Sequence, residues 1–116
     1  MFYNLQKHKS AFFFFILLIF VISSIALSCS EKSLNNSEAD KHNKLGLAYV
    51  NSNQYQEAVD AFKQAIRIKP DYAGAHYNLG FAYVILKDKD SALDEYKILK
   101  DLDKEMANKL FNIINH

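Results

Sequence analysis

The rhythm of polar and apolar residues changes after Leu27. From Ala11 to Leu27 the chain carries no charged residue, and Phe12 to Phe15 are consecutive. From Asp40 onward apolar residues recur at the three-and-four spacing of amphipathic helices. Leu45, Ala48 and Tyr49 form one stripe, and Ala58, Ala61, Phe62, Ala65 and Ile66 form another, with Asn51-Ser52-Asn53-Gln54 breaking the first helix from the second. Pro70 cannot continue the second helix, and the carboxylate of Asp71 is placed to cap the next. The plan then recurs, with a third helix from about Ala73 to Leu86, a break at Lys87-Asp88-Lys89 and a fourth helix from about Asp90 to Leu102. Asp103 to Asn115 gives a fifth, whose apolar members are Met106, Leu110, Phe111, Ile113 and Ile114. No strand-like alternation survives along residues 39–116, so the expected class is all-α, five helices joined by short turns.

Residues 39–72 and 73–106 align without a gap at an offset of 34, and ten of the aligned pairs are identical. These are Ala39/Ala73, His42/His76, Leu45/Leu79, Gly46/Gly80, Ala48/Ala82, Tyr49/Tyr83, Val50/Val84, Ala58/Ala92, Asp60/Asp94 and Lys63/Lys97. A period of this length marks stacked helical units rather than an enzyme core. Small and large residues must alternate in such a stack. Gly46 and Gly80 are expected to let the first helix of each pair approach the second at Ala58 or Ala92, while Tyr49, Tyr83, Phe62 and Tyr96 fill the wider gaps.

With Ala39 as the first position, His42, Leu45, Gly46, Tyr49, Ala58, Phe62, Ala65 and Pro70 fall where the tetratricopeptide repeat (TPR) family has an aromatic residue, Leu, Gly, Tyr, Ala, Phe or Tyr, Ala and Pro. In the second copy His76, Leu79, Gly80, Tyr83, Ala92 and Tyr96 match, whereas Leu99 and Lys104 replace the second small residue and the proline. The chain therefore resembles a TPR solenoid of two repeats, 39–72 and 73–106, with residues 105–116 similar to the family's capping helix. Two repeats make a short array, so burial against a partner or self-association is the expected remedy. The resemblance implies a concave groove lined by the first helix of each pair, at Asn43, Leu47, Val50 and Asn51 in one repeat and at Tyr77, Phe81, Val84 and Ile85 in the other. All four positions of the second set are apolar, which suits a hydrophobic or aromatic-bearing peptide better than an acidic tail. The family's carboxylate clamp is matched only at Asn78.

Lys7 and Lys9 precede the uncharged run. A signal peptide, a transmembrane anchor and a buried core helix compete as readings; the run is apolar on every side, which disfavours the core helix, and its 17 residues sit at the short end of the roughly 17–25 needed to span a bilayer. Length favours a signal peptide. Ile25-Ala26-Leu27-Ser28-Cys29 resembles the lipobox of bacterial lipoproteins, although Ala26 stands where a large aliphatic residue is usual. That resemblance implies removal of residues 1–28 and attachment of acyl chains such as palmitate to Cys29. Several chains anchor stably where one is marginal. Residues 29–38 are polar apart from Leu34 and are expected to form a flexible tether. In either reading Lys7 and Lys9 favour a cytoplasmic N-terminus and place the repeats on the exported side. Ser30 is not the aspartate that retains some lipoproteins at the inner membrane, so the cell envelope, with the outer membrane mildly favoured, is the expected location.

Composition narrows the chemistry. The chain has 116 residues, a formal net charge of +1, one cysteine, one proline and no tryptophan. A lone cysteine excludes an internal disulfide. His42 and His76 occupy packing positions one repeat apart and lack the i, i+4 spacing of ligand sets, and no phosphate loop or nucleophile motif is present, so no catalytic residue, metal or cofactor is expected. Mixed-sign stretches such as Lys87-Asp88-Lys89-Asp90 lack the basic stripe that nucleic acid needs. The expected function is non-catalytic: a membrane-tethered adaptor for a protein or peptide partner at the bacterial envelope, or else a structural subunit of a larger or self-associated assembly.

Overall fold

The computed structural model describes the backbone from Phe2 to His116 and side chains from Ala11 onward. Five helices follow one another: α1 (Phe2–Asn51), α2 (Tyr55–Ile68), α3 (Ala73–Ile85), α4 (Lys89–Leu102) and α5 (Lys104–Asn115). No strand occurs among the described residues. The chain divides into two units, Met1–Leu34 and Asn35–His116.

In the first unit the described side chains are exposed, with Phe12 and Phe14 at 69% and 72%. An 18-residue window here reaches a mean hydropathy of 2.8, long and apolar enough to cross a membrane by length and composition, a test that a signal sequence also passes. The hydroxyl of Ser24 donates to the carbonyl of Phe20 at 3.0 Å and so has a partner within the helix. Lys7 and Lys9 lie outside the described side chains. Residues 30–38, expected as a flexible tether, are helical. Neither glycine nor proline occurs before Gly46 to stop the helix, and Lys41 reinforces it by pairing with Glu38 at 3.0 Å.

In the second unit the end of α1 and the end of α3 close in the same way. Asn53 (φ 59°) and its repeat equivalent Lys87 (φ 65°) take the left-handed conformation, and the next N–H donates five residues back, Gln54 to Tyr49 at 2.8 Å and Asp88 to Tyr83 at 2.9 Å. Helices α4 and α5 start on carboxylate caps: Asp88 accepts from Ser91 N–H at 3.1 Å and Asp103 from Met106 N–H at 3.0 Å. Each such cap contributes about 1 kcal/mol. Helix α3 starts differently. Its N-cap is Tyr72 rather than Asp71, with no side-chain cap; the turn is held by backbone, Tyr72 N–H donating to Lys69 C=O at 3.1 Å.

Two apolar clusters form the core. Ala58, Val59, Phe62, Leu79 and Ala82 make the first, with Tyr49 and Val50 packed against it. Ala92, Leu99, Ala107, Leu110 and Ile114 make the second, with Tyr77, Val84 and Tyr96. Tyr83 packs on both. The glycines serve close approach, and the atoms nearest to them belong to larger side chains than Ala58 and Ala92. A Cβ on Gly46 would collide with the ring of Phe62, and one on Gly80 would lie 2.5 Å from Leu110 Cδ2 and 3.3 Å from Glu95 Cβ. Phe62 is wholly buried, worth roughly 1.5–3 kcal/mol, and only a glycine at 46 leaves room for it. Leu110 and Ile114 of α5 likewise cover the last helix pair.

His76 and Glu95 form the polar centre of this packing. The imidazole is 4% exposed, and its nitrogens meet two acceptors, Nδ1 to Glu95 Oε2 at 2.6 Å and Nε2 to the Pro70 carbonyl at 2.8 Å. Two acceptors require two N–H donors, which is the protonated ring. Burial alone would lower the histidine pKa, but the hydrogen bonds to Glu95 and Pro70 and the charge of Glu95 outweigh it and hold the pKa above the ordinary 6.5. His42, the repeat equivalent, has only a 3.9 Å approach to Glu38, because Ala61 stands where the second repeat has Glu95.

The folded chain thus holds this proton more tightly than the unfolded one. The associated stability is fully present below pH 6.5 and fades as the pH rises through the folded-state value. Urea melts of the repeat unit should show His76→Gln destabilised by about 3–5 kcal/mol at pH 6, with the gap to wild type narrowing by pH 9; a gap that widens with pH would contradict the assignment. Gly46→Val should cost at least about 1–3 kcal/mol by the same measurement.

Candidate functional site

One apolar socket opens between the first helices of the two repeats. Leu47 and Val50 of α1, Phe62 of α2 and Tyr77, Asn78 and Phe81 of α3 line a cavity of about 210 Å³. None of its lining residues is charged. The register explains the gathering: Val50 lies one helical turn past Leu47, Phe81 one turn past Tyr77, and Gly46 brings Phe62 up beneath them. The corresponding place between α3 and α5 is occupied, because the rings of Tyr96 and Phe111 stack there with centroids 5.0 Å apart.

Of the eight groove positions expected from the sequence, Leu47, Val50, Tyr77 and Phe81 share this cavity. Val84 lies elsewhere, in a second cavity with Ile113 and Ile114; Asn51 is exposed at the end of α1 and Ile85 is half-buried. Asn43 is turned inward and only 9% exposed. Its Oδ1 accepts from Asn78 Nδ2 at 3.0 Å, and its Nδ2 donates to the Tyr72 hydroxyl at 3.3 Å, which itself donates to Asp40 Oδ1 at 2.7 Å. Burial and the Asp40 carboxylate raise the Tyr72 pKa against a smaller opposing effect of Asn43, so this hydroxyl stays a neutral donor. The chain Asp40–Tyr72–Asn43–Asn78 ties α1 to α3 below the socket. Asn43 is thus a positioning residue. Asn78 and Phe62 join the lining instead; a signal for Phe62 existed in the glycine one helix away, since a ring and a glycine at facing positions imply contact.

Cys29 is exposed on α1, in the first unit. Among the described residues no cluster of three or more His, Cys, Asp or Glu side chains could hold a metal ion.

Residues 46–86 match the family described as TPR repeat, and residues 73–106 the family described as Tetratricopeptide repeat. The repeats of this chain are tetratricopeptide repeats. Similar proteins include a peroxisomal targeting signal receptor of Candida albicans, 40% identical over 52 residues that are 45% of this chain and 9% of the receptor. The human protein O-mannosyl-transferase TMTC3 is 32% identical over 80 residues, 69% of this chain and 9% of that protein. A chloroplastic tetratricopeptide repeat domain-containing protein of Arabidopsis thaliana, PYG7, is 32% identical over 71 residues, 60% of this chain and 24% of the relative. This chain spans under a quarter of each. What is shared is the TPR region, and as a TPR region it speaks for protein–protein interaction.

Tyr72→Phe removes the central hydroxyl of the chain that joins α1 to α3. Thermal unfolding of the repeat unit should show a loss of about 1–2 kcal/mol, and hydrogen exchange should rise at the end of α1 before it rises in α4; no change in either would assign the network to the surface.

Proposed function

We propose that this protein is a non-catalytic TPR adaptor, tethered to a bacterial envelope membrane through its N-terminal segment, that captures a protein partner by one large apolar side chain. The socket lined by Leu47, Val50, Phe62, Tyr77 and Phe81 carries this reading. Its uncharged walls favour an apolar anchor over an acidic tail. Asn78 supports the same role: its Nδ2 is engaged by Asn43, while its carbonyl oxygen remains for the backbone N–H of a bound segment. The relative in Candida albicans is named a targeting signal receptor, and a recognition role of that kind accords with this reading.

The tether rests on the exposed apolar stretch of α1 and on Cys29 at its polar end. Processing at Cys29 would remove residues 1–28 and leave acyl chains there, with the repeats on the exported side and the outer membrane favoured. A self-associated assembly is the second reading, and the ends of the stack speak against its end-on form. Lys41 and Lys109 stand at the repeat positions of buried Ala75 and pair with Glu38 at 3.0 Å and Glu105 at 2.8 Å. Stacking another repeat there would desolvate both pairs.

Intact mass of the membrane-extracted protein tests the tether. The expected mass is that of residues 29–116 plus acyl chains, absent from Cys29→Ala; an unacylated full-length mass would replace the lipid with an uncleaved anchor. Random-peptide display on the full chain in detergent tests the socket. Selected peptides should share one large apolar residue and lose at least about tenfold in affinity, near 1.4 kcal/mol, against Phe81→Ser. Selection of purely acidic peptides, or of none, would refute the groove reading.

A further inference from the structure

A second cavity, of about 220 Å³, lies between the end of α3 and α5, lined by Val84, Lys87, Lys89, Ile113, Ile114 and His116. Its walls are three aliphatic side chains, and its rim is basic. The repeat supplies an internal comparison. At the positions equivalent to Lys87 and Lys89 the first repeat has Asn53 and Tyr55, both neutral, and at those of Ile114 and His116 the preceding junction has Gly80 and Ala82. Val84 and Ile113 have aliphatic equivalents at the preceding junction, Val50 and Leu79, so the additions made here are Ile114 and the two lysines.

The rim lysines are free to act. Neither Lys87 nor Lys89 has a carboxylate within ion-pair distance among the described residues. Of the neighbouring acids, Asp88 is committed to the α4 cap, accepting from both the N–H and the hydroxyl of Ser91; Asp90 is exposed in the first turn of α4. The Lys87 backbone is held in place at a left-handed φ of 65° by its own N–H to Val84 C=O at 3.1 Å and by Asp88 N–H to Tyr83 C=O. Glycine or asparagine would take that conformation at less cost. The backbone of Lys87 is thus held at the cavity that its side chain helps to line.

We infer that this cavity is a second docking site, distinct from the groove, for a protein segment that presents an aliphatic side chain flanked by carboxylates. The aliphatic group enters between Val84, Ile113 and Ile114, and the carboxylates meet Lys87 and Lys89. Charge complementarity selects this occupant over a basic or purely apolar one, and places the adaptor's second contact between the end of α3 and α5.

The test uses the full chain in detergent micelles and a fluorescent nonapeptide with a central leucine flanked by glutamates and serines. Saturable binding is expected, weakening as salt rises. It should fall at least tenfold with the double variant Lys87→Gln/Lys89→Gln, whose side chains are exposed and leave the core intact. It should persist in Phe81→Ser, which damages only the groove. Three results would overturn the assignment: no saturable binding, equal binding of a peptide with lysine in place of glutamate, or loss of binding in Phe81→Ser.

Discussion

The absence of a side chain at Gly46 is the constraint on which the repeat unit depends. It admits the ring of Phe62 against the backbone of α1, and that approach sets how closely the first helix pair packs. The same ring forms part of the first core cluster and of the socket wall. Core and candidate site are thus made from one residue seen from two sides. At the second repeat Gly80 performs a related service for a different partner, receiving Leu110 of the final helix, so the last pair is closed by its own chain.

A symmetric sequence produces asymmetric junctions here. Phe62 and Tyr96 are equivalent, yet the first borders a cavity while the second is covered by Phe111. His42 and His76 are identical, yet only the second is buried and doubly bonded. For the histidines the difference traces to one non-identical neighbour, Ala61 in place of Glu95; at the aromatic pair the repeat equivalent of Phe111 is Tyr77, which lines the socket instead. Function in such a short array comes from those departures, because the shared residues are occupied in stacking.

The fold was legible in the sequence because it rests on periodicity, and periodicity survives local detail. The 34-residue offset, the break at Asn51-Ser52-Asn53-Gln54 and the stop at Pro70 place the helix ends of the repeats to within a few residues, except the start of the first, which is continuous with α1 from Phe2. What was not legible depended on contacts between helices. The glycines were expected to meet Ala58 and Ala92; the atoms nearest to them are those of larger side chains, Phe62 and Leu110, reaching into the space that glycine leaves. Asn43 was expected in the groove from the family resemblance, but it is buried and bonded to Tyr72, which lies far from it in sequence. The polar stretch at residues 30–38 read as a flexible tether by composition, but without a helix breaker it continues α1. Leu47, Val50, Tyr77 and Phe81 line one cavity, since apolar residues one helical turn apart share a face wherever the helix goes.

The central claim is that the socket between α1 and α3 receives a side chain from another protein. The most direct measurement is photocrosslinking in the native membrane with benzoylphenylalanine at position 81, beside a control with the same residue in place of Lys97 on the exposed face of α4. The account predicts one defined adduct with a different protein from position 81, none from position 97, and a crosslinked partner residue that is large and apolar. An adduct only with a second copy of this chain, or the same adducts from both positions, would contradict it.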